Sequence, residues 1–150
     1  MFAIPLRAAL AALLALGAPA ALAATAYVPN EGAATISVID TDKDVVTATI
    51  RHGKKPRGIA AAKDGRLFLS DQTGNAVVVV DTAKNATIAT IPVGDSPEAI
   101  YLSPDGKWLA LTSKPSIASG YAQLWEVTAD EKGKLSFKEG RGLRGARNGY

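Results

Sequence analysis

Two successive stretches of the sequence decide the fold. Residues 27–67 read YVPNEGAATISVIDTDKDVVTATIRHGKKPRGIAAAKDGRL, and residues 68–108 read FLSDQTGNAVVVVDTAKNATIATIPVGDSPEAIYLSPDGKW. The two align without a gap at a spacing of 41 residues, and 12 of the 41 aligned pairs are identical, Asp40 with Asp81 among them. A repeat of about 40 residues that is rich in β-branched side chains is typical of four-stranded antiparallel units, such as the blades of a propeller.

Each repeat carries the signals of strands in the same order. The tight-turn pair Asp64-Gly65 separates two apolar runs, and the aliphatic run 76–80 predicts a strand buried on both faces. We expect Trp108 and Trp125 to fill the core between units. The predicted strands are 26–28, 35–39 and 45–50, then 58–62, 67–70, 76–80 and 86–91, and finally 98–102, 108–113, 123–127 and 135–137, with a long connection at 114–121.

The predicted fold is all-β: a partial β-propeller of about three antiparallel blades, four-stranded where complete. The blades are 26–50, 58–91 and 98–137 within a repeat region 24–138, and a Gly/Arg-rich tail follows at 139–150. Closed propellers contain roughly four to eight blades, and the first blade here lacks its first strand. Three interpretations fit: the chain is the first portion of a longer propeller, copies self-associate to complete a ring, or the coding region is truncated.

The N-terminal segment 1–23 has the pattern of a secretory signal peptide. Arg7 precedes the apolar run 8–16, and Ala21-Leu22-Ala23 offers a small-x-small cleavage site before Ala24. The apolar run is too short to span a bilayer, which takes about 20 residues; an uncleaved membrane anchor is the alternative. We therefore expect an exported protein, periplasmic or secreted, with no membrane span after cleavage.

Composition narrows the classes of function. The chain has 17 basic and 14 acidic residues, a formal net charge of +3, which is too balanced to predict nucleic-acid binding. It has no cysteine, which excludes disulfides, thiolate metal sites and thiol nucleophiles. An exported chain without disulfides suits a bacterial envelope better than a small animal secretory domain.

A basic cluster follows the third predicted strand, at the crossing to the next blade. It consists of Arg51, His52, Lys54, Lys55 and Arg57. By analogy with other propellers, in which such crossings line a ligand-binding face, the cluster is a candidate contact for an anion or an acidic partner; a solvated loop is the alternative. His52 is the only histidine, which excludes a catalytic triad or a polyhistidine metal site within this chain.

A weak calcium candidate lies in the turn before the third strand. Asp40, Asp42 and Asp44 have the spacing that opens a calcium-binding loop, but Val45 stands where the loop needs glycine and Arg51 where it needs glutamate. Aspartates also cap tight turns with their own backbone, which is the alternative reading. We predict no metal site.

The repeat begins at Tyr27-Val28-Pro29-Asn30 and continues through Thr35-Ile36-Ser37-Val38-Ile39-Asp40-Thr41 to Gly53, Pro56-Arg57-Gly58-Ile59-Ala60 and Asp64-Gly65; the second copy matches at Val80-Asp81-Thr82, Ile91-Pro92-Val93-Gly94 and Ser103-Pro104-Asp105-Gly106-Lys107. Over residues 26–113 this pattern resembles the YVTN family of β-propeller repeats, which is named for a Tyr-Val-Thr-Asn strand start; the chain departs from it at Pro29.

With its export signal, the chain is similar to bacterial periplasmic members of that family. Some of those are associated with pyrroloquinoline-quinone-dependent alcohol oxidation, and others are surface-layer or surface-antigen proteins. The family's motifs are structural, so the resemblance implies no catalytic residue and no cofactor.

The sequence thus favours an exported, non-enzymatic β-propeller repeat protein that binds a protein partner in the cell envelope or a small ligand. The main support is the lack of a nucleophile–base pair, a metal-ligand set or a phosphate loop in the sequence. The resemblance leaves two alternatives open: a periplasmic accessory of a quinoprotein dehydrogenase, and a fragment of a lactonase-like or haem-binding propeller enzyme.

Overall fold

The computed structural model describes residues 24–116 and 119–144, and its regular structure there consists of β-strands alone. The strands are β1 (Thr25–Asn30), β2 (Thr35–Asp40), β3 (Val45–Arg51), β4 (Pro56–Ala61), β5 (Arg66–Asp71), β6 (Ala76–Asp81), β7 (Ala86–Pro92), β8 (Pro97–Leu102), β9 (Trp108–Ser116), β10 (Ser119–Ala129) and β11 (Leu135–Arg144). Across this part of the chain no helix has the length and hydropathy to cross a membrane. The predicted signal peptide, 1–23, and the end of the predicted tail, 145–150, lie outside the described residues.

The strands form three antiparallel sheets in which neighbours in sequence are neighbours in space. The first sheet has the order β1-β2-β3, the second β4-β5-β6-β7 and the third β8-β9-β10-β11. The bounds of β1 to β4 reappear in β5 to β8 after 41 residues, so the sequence repeat is a repeat of strands. The predicted all-β class and its antiparallel sheets are confirmed.

The sheets lie face to face, and the second is buried on both sides. Residues 76–80 of β6 are each at most 3% exposed, which confirms the strand expected to have two buried faces. One core cluster joins the first sheet to the second: Ile36, Val38, Ile50, Leu67, Leu69 and Val80. A second cluster joins the second sheet to the third: Phe68, Val77, Val79, Val93, Ile100, Leu109, Leu111, Trp125 and Leu135.

The repeat slips by one residue at the start of β9. The β4–β5 turn is closed by a hydrogen bond from the Ala62 N–H to the Arg66 carbonyl, whereas the β8–β9 turn is closed from Ser103 to Trp108, one residue further along. A slip of one residue exchanges the two faces of a strand. Trp108 therefore takes the place of Arg66, and its side chain is 41% exposed. The expectation that Trp108 fills the core is wrong, whereas Trp125 does lie in the core.

The third sheet is longer than the sequence predicted. The segment 114–121, expected as a connection, is partly strand, because β9 continues to Ser116 and β10 starts at Ser119. The strand β11 runs to Arg144, so part of the predicted tail pairs with β10. Gly140 permits this pairing at a register shift, since a Cβ there would lie 2.8 Å from the Leu124 carbonyl oxygen.

Candidate binding edge at the sheet crossings

The crossings between sheets share one edge of the stack with the β1–β2 and β5–β6 turns, and we call this edge the crossing edge. It comprises the crossings 52–55 and 93–96 and the turns 31–34 and 72–75. The two crossings are held alike, by hydrogen bonds from the His52 N–H to the Ala34 carbonyl at 3.0 Å and from the Val93 N–H to the Asn75 carbonyl at 3.1 Å. All five members of the predicted basic cluster lie on this edge or beside it.

Asp71 anchors the first crossing. Its carboxylate is buried, and it accepts hydrogen bonds from the backbone N–H groups of Lys54 and Lys55, each at 2.9 Å, and of Gly74 at 3.1 Å. Backbone donors satisfy the charge that burial would otherwise leave without solvation. The crossing loop is thereby tied to the second sheet.

Ser70 ties the second sheet to the third. Its buried hydroxyl accepts a hydrogen bond from the Gly58 N–H at 2.8 Å and donates one to the Glu98 carbonyl. Gly58 is needed here, because a Cβ at that position would lie 2.6 Å from the same carbonyl oxygen. Close approach of β4 to β8 therefore depends on the missing side chain.

Two of the predicted cations are paired with carboxylates. Glu31 lies 3.0 Å from the Lys55 ammonium and 3.6 Å from the Arg57 guanidinium, and Arg57 also lies 3.1 Å from Glu98. Glu98 accepts a further hydrogen bond from the Gln72 amide at 3.2 Å. The hydrogen bond from Lys55, with the positive charges nearby, holds the pKa of Glu31 below its ordinary value. Lys55 and Arg57 thus belong to a polar network that spans all three sheets.

The two other cations of the cluster are exposed. Neither the Arg51 guanidinium nor the Lys54 ammonium has a carboxylate within ion-pair distance among the residues that the structure describes. Lys54 is anchored through its backbone alone, which leaves its side chain for solvent or a partner. The candidate contact surface therefore narrows to Arg51 and Lys54.

His52 is a core residue and not part of this exposed surface. It is 3% exposed, and neither ring nitrogen has a hydrogen-bond partner among the described residues. Burial lowers the pKa of His52 below its ordinary value, and the charge of Asp71 opposes that shift. The sequence placed His52 in a solvated contact loop; the structure instead buries it where the next repeat has Val93.

The calcium candidate forms a turn. An oxygen of Asp40 accepts hydrogen bonds from the backbone N–H groups of Asp42 and Lys43, and its other oxygen lies 2.6 Å from the Lys43 ammonium. The hydrogen bond from that ammonium holds the pKa of Asp40 below its ordinary value. Asp40, Asp42 and Asp44 do not converge, since the described part of the chain brings no three His, Cys, Asp or Glu side chains together as a metal site.

The sequence did not point to Asp71 and Ser70, although their hydrogen bonds hold the first crossing loop and the junction of β4 with β8 in place. One signal was available: both are polar and follow three apolar residues, 67–69, in a strand that is otherwise a core strand. Their partners are backbone groups up to 28 residues away, and such partners leave no mark in the sequence.

The fold is similar to those of two larger proteins. A chain of Kuenenia stuttgartiensis hydrazine synthase matches with a TM-score of 0.67 and 21% sequence identity, over 80% of this chain and 32% of that one. A functionally unknown protein from Desulfotomaculum acetoxidans matches with a TM-score of 0.55 and 20% identity, over 81% of this chain and 42% of that one. This chain thus spans less than half the length of either, and at such identities the likeness shows the fold alone. No protein-family model matches the sequence, and no curated protein matches it.

Proposed function

We propose that this protein is an exported, non-enzymatic β-propeller repeat protein of the YVTN type, and that its crossing edge binds a protein or ligand of the bacterial cell envelope. The stack of antiparallel sheets supports the propeller assignment, because each sheet runs strand by strand and packs on the next, as propeller blades do. The repeat of strand bounds at 41 residues supports it further.

One observation carries the binding role: the backbone of the crossing loop is fixed by buried Asp71, while positively charged side chains beside it are exposed to solvent. Asp71 holds the backbone of Lys54 and Lys55, while the side chains of Arg51 and Lys54 remain exposed. A loop fixed in advance loses little conformational entropy on binding, and exposed cations attract an acidic partner over a Debye length of about 8 Å at physiological salt.

The chemistry of the edge supports binding rather than catalysis. Ser70, His52 and Asp71 lie in one region, but each is at most 3% exposed. The hydroxyl and the carboxylate are engaged with backbone groups, and His52 forms no hydrogen bond with either. A triad needs a nucleophile bonded to a base and open to substrate, which these three residues do not provide.

The test is affinity purification from a bacterial envelope extract. Three baits are compared. They are wild type, a crossing-edge variant with Arg51→Glu and Lys54→Glu, and a matched control with Lys63→Glu and Lys132→Glu. Both controls are exposed lysines in turns at the opposite edge of the sheets, and their change in net charge is the same. We expect the crossing-edge variant to lose partners that wild type and control retain, with retention by wild type falling as salt rises. Equal retention by both variants would refute this contact surface.

Export is tested separately. Protein recovered from the periplasm or medium of a bacterial host should begin at Ala24 on N-terminal sequencing. Retention of Met1 with a membrane-bound product would instead favour an uncleaved anchor.

A further inference from the structure

Within residues 24–116 and 119–144, no other sheet packs on the outer face of the third sheet, which carries several apolar side chains. Ile100, Leu109, Leu111 and Trp125 point toward the second sheet, so residues that alternate with them point away. Tyr101, Ala110 and Leu124 form a row across this outer face, since Tyr101 pairs with Ala110 and Ala110 with Leu124. Tyr101 is 66% exposed, and Trp108 lies beside the row as a result of the one-residue slip. Trp108 and Leu124 line a depression that is bordered by Glu126, Lys138, Glu139 and Gly140.

At the other end of the stack, no sheet formed by the described residues covers the outer face of the first sheet, which also carries apolar side chains. Its inner residues, such as Tyr27 and Val38, pack on the second sheet, which leaves the alternate residues outside. The outer residues Ala26, Ile39 and Val46 form a row through the pairs Ala26–Ile39 and Ile39–Val46. Val28 is 42% exposed and Val46 is 59% exposed.

These two open faces are the two kinds of face that meet inside the molecule. Every internal junction packs the trailing face of one sheet on the leading face of the next. Ala26, Val28 and Ile39 are the repeat equivalents of Leu67, Leu69 and Val80, which lie on the leading face of the second sheet and are buried there. The open face of the first sheet is therefore a leading face, and that of the third sheet is a trailing face.

We propose that the trailing face of the third sheet in one copy packs on the leading face of the first sheet in a second copy. The junction would continue the stacking already present within the chain, with Tyr101, Trp108 and Leu124 facing Val28, Ile39 and Val46. Such a contact is head-to-tail and closes into a ring when the rotation permits. Two copies supply six sheets, within the range of roughly four to eight that closed propellers use. The proposal depends on the sheet faces alone and stands or falls separately from binding at the crossing edge.

The test is analytical ultracentrifugation of the chain from Ala24 onward, which reports its oligomeric state over a range of about 100-fold in protein concentration. We expect wild type to be a dimer. Leu124→Arg, on the trailing face, and Val28→Arg, on the leading face, should each weaken self-association by about 100-fold, because each buries a charge in an apolar junction. Ile88→Arg is the matched control: Ile88 is 46% exposed but lies in β7, away from both end faces.

Mixing the two variants tests the head-to-tail geometry and the folding of each variant together. Leu124→Arg keeps an intact leading face and Val28→Arg keeps an intact trailing face. The mixture should therefore form a heterodimer at concentrations at which each variant by itself is monomeric. A monomeric wild type would overturn the proposal and assign the faces to another occupant. Dissociation of Ile88→Arg, or a mixture that stays monomeric, would overturn it as well.

Discussion

His52 and Val93 occupy the same place in successive sheets. Each follows the last strand of a sheet and is at most 3% exposed. The His52 N–H donates to the Ala34 carbonyl and the Val93 N–H to the Asn75 carbonyl, and these two acceptors are repeat equivalents. The valine places methyl groups in that space, whereas the histidine places two ring nitrogens there without partners among the described residues. One repeat therefore has an apolar side chain where the other has a titratable one.

His52→Val should stabilise the fold and remove a component of its acid sensitivity. Burial depresses the pKa of His52 from 6.5, so the unfolded chain binds a proton near pH 6.5 while the folded chain resists it. Stability from this source is constant above that pH and falls as the pH drops toward the folded pKa. The variant should gain about 1 kcal/mol at neutral pH. It should also lose the fall in stability that wild type shows in urea unfolding as the pH drops below 6.5.

Carboxylates provide the internal control for this pH experiment. The hydrogen bond from Arg66 depresses the pKa of Asp64 from 3.8, so its contribution is present above that pH and is lost as the pH falls below it. Acid sensitivity below pH 3.8 should therefore survive in His52→Val. An unchanged slope near neutral pH would contradict the assignment to His52.

Asp71→Ala should destabilise the fold strongly, because three backbone N–H groups lose their acceptor. We expect a loss of about 3 kcal/mol in the free energy of unfolding. Asp81→Ala is the control, since Asp81 also accepts backbone hydrogen bonds but in an exposed turn, and it should lose far less. Equal losses in chemical denaturation would mean that Asp71 does not anchor the crossing.

Gly58→Ala should destabilise the junction of the second and third sheets by about 1–3 kcal/mol through overpacking. The added methyl group would meet the Glu98 carbonyl oxygen and Ile100. At Gly32, by contrast, a Cβ would have no neighbour within 4 Å, so Gly32→Ala should stay within about 0.5 kcal/mol of wild type. Thermal unfolding of the pair measures the difference.

Leu109→Ala should cost about 2–5 kcal/mol and Trp108→Ala less than about 1 kcal/mol. The order follows from the one-residue slip, which buries Leu109 and exposes Trp108. Both are best measured in the Leu124→Arg background, so that self-association does not contribute. A larger loss for Trp108→Ala than for Leu109→Ala would contradict the one-residue slip and would mean that Trp108, as the equivalent of Leu67, lies in the core.

Ala34→Gly should stabilise the fold by about 0.5–1 kcal/mol, because a left-handed backbone costs alanine more than glycine. Ala34 has a φ of 54°, whereas its repeat equivalent is Asn75, a residue that tolerates this region. Ala33, its neighbour, does not have a positive φ, and Ala33→Gly should give no gain. A gain of the same size for both in urea unfolding would show that the positive φ of Ala34 is not the cause.

The candidate site was predictable only in part. Arg51, Lys54, Lys55 and Arg57 stand together in the sequence, so their nearness required no tertiary information. Whether each cation is paired or free to contact a partner did require tertiary information, because Glu31 and Glu98, which pair with Lys55 and Arg57, come from other sheets. The burial of His52, near the charge of Asp71, is likewise a tertiary property that the sequence did not show.

Residue spacing by itself determined the strands, their antiparallel order and the repeat from β1 to β8. These depend on local properties: β-branched runs that favour extended backbone, and turn residues such as Asp64-Gly65 that reverse it. Tertiary structure alone decided which face each strand of the third sheet presents, which cations stay exposed and which polar groups anchor the crossings. A turn longer by one residue reverses a whole strand face at little local cost, and a buried carboxylate finds its donors only when distant strands meet.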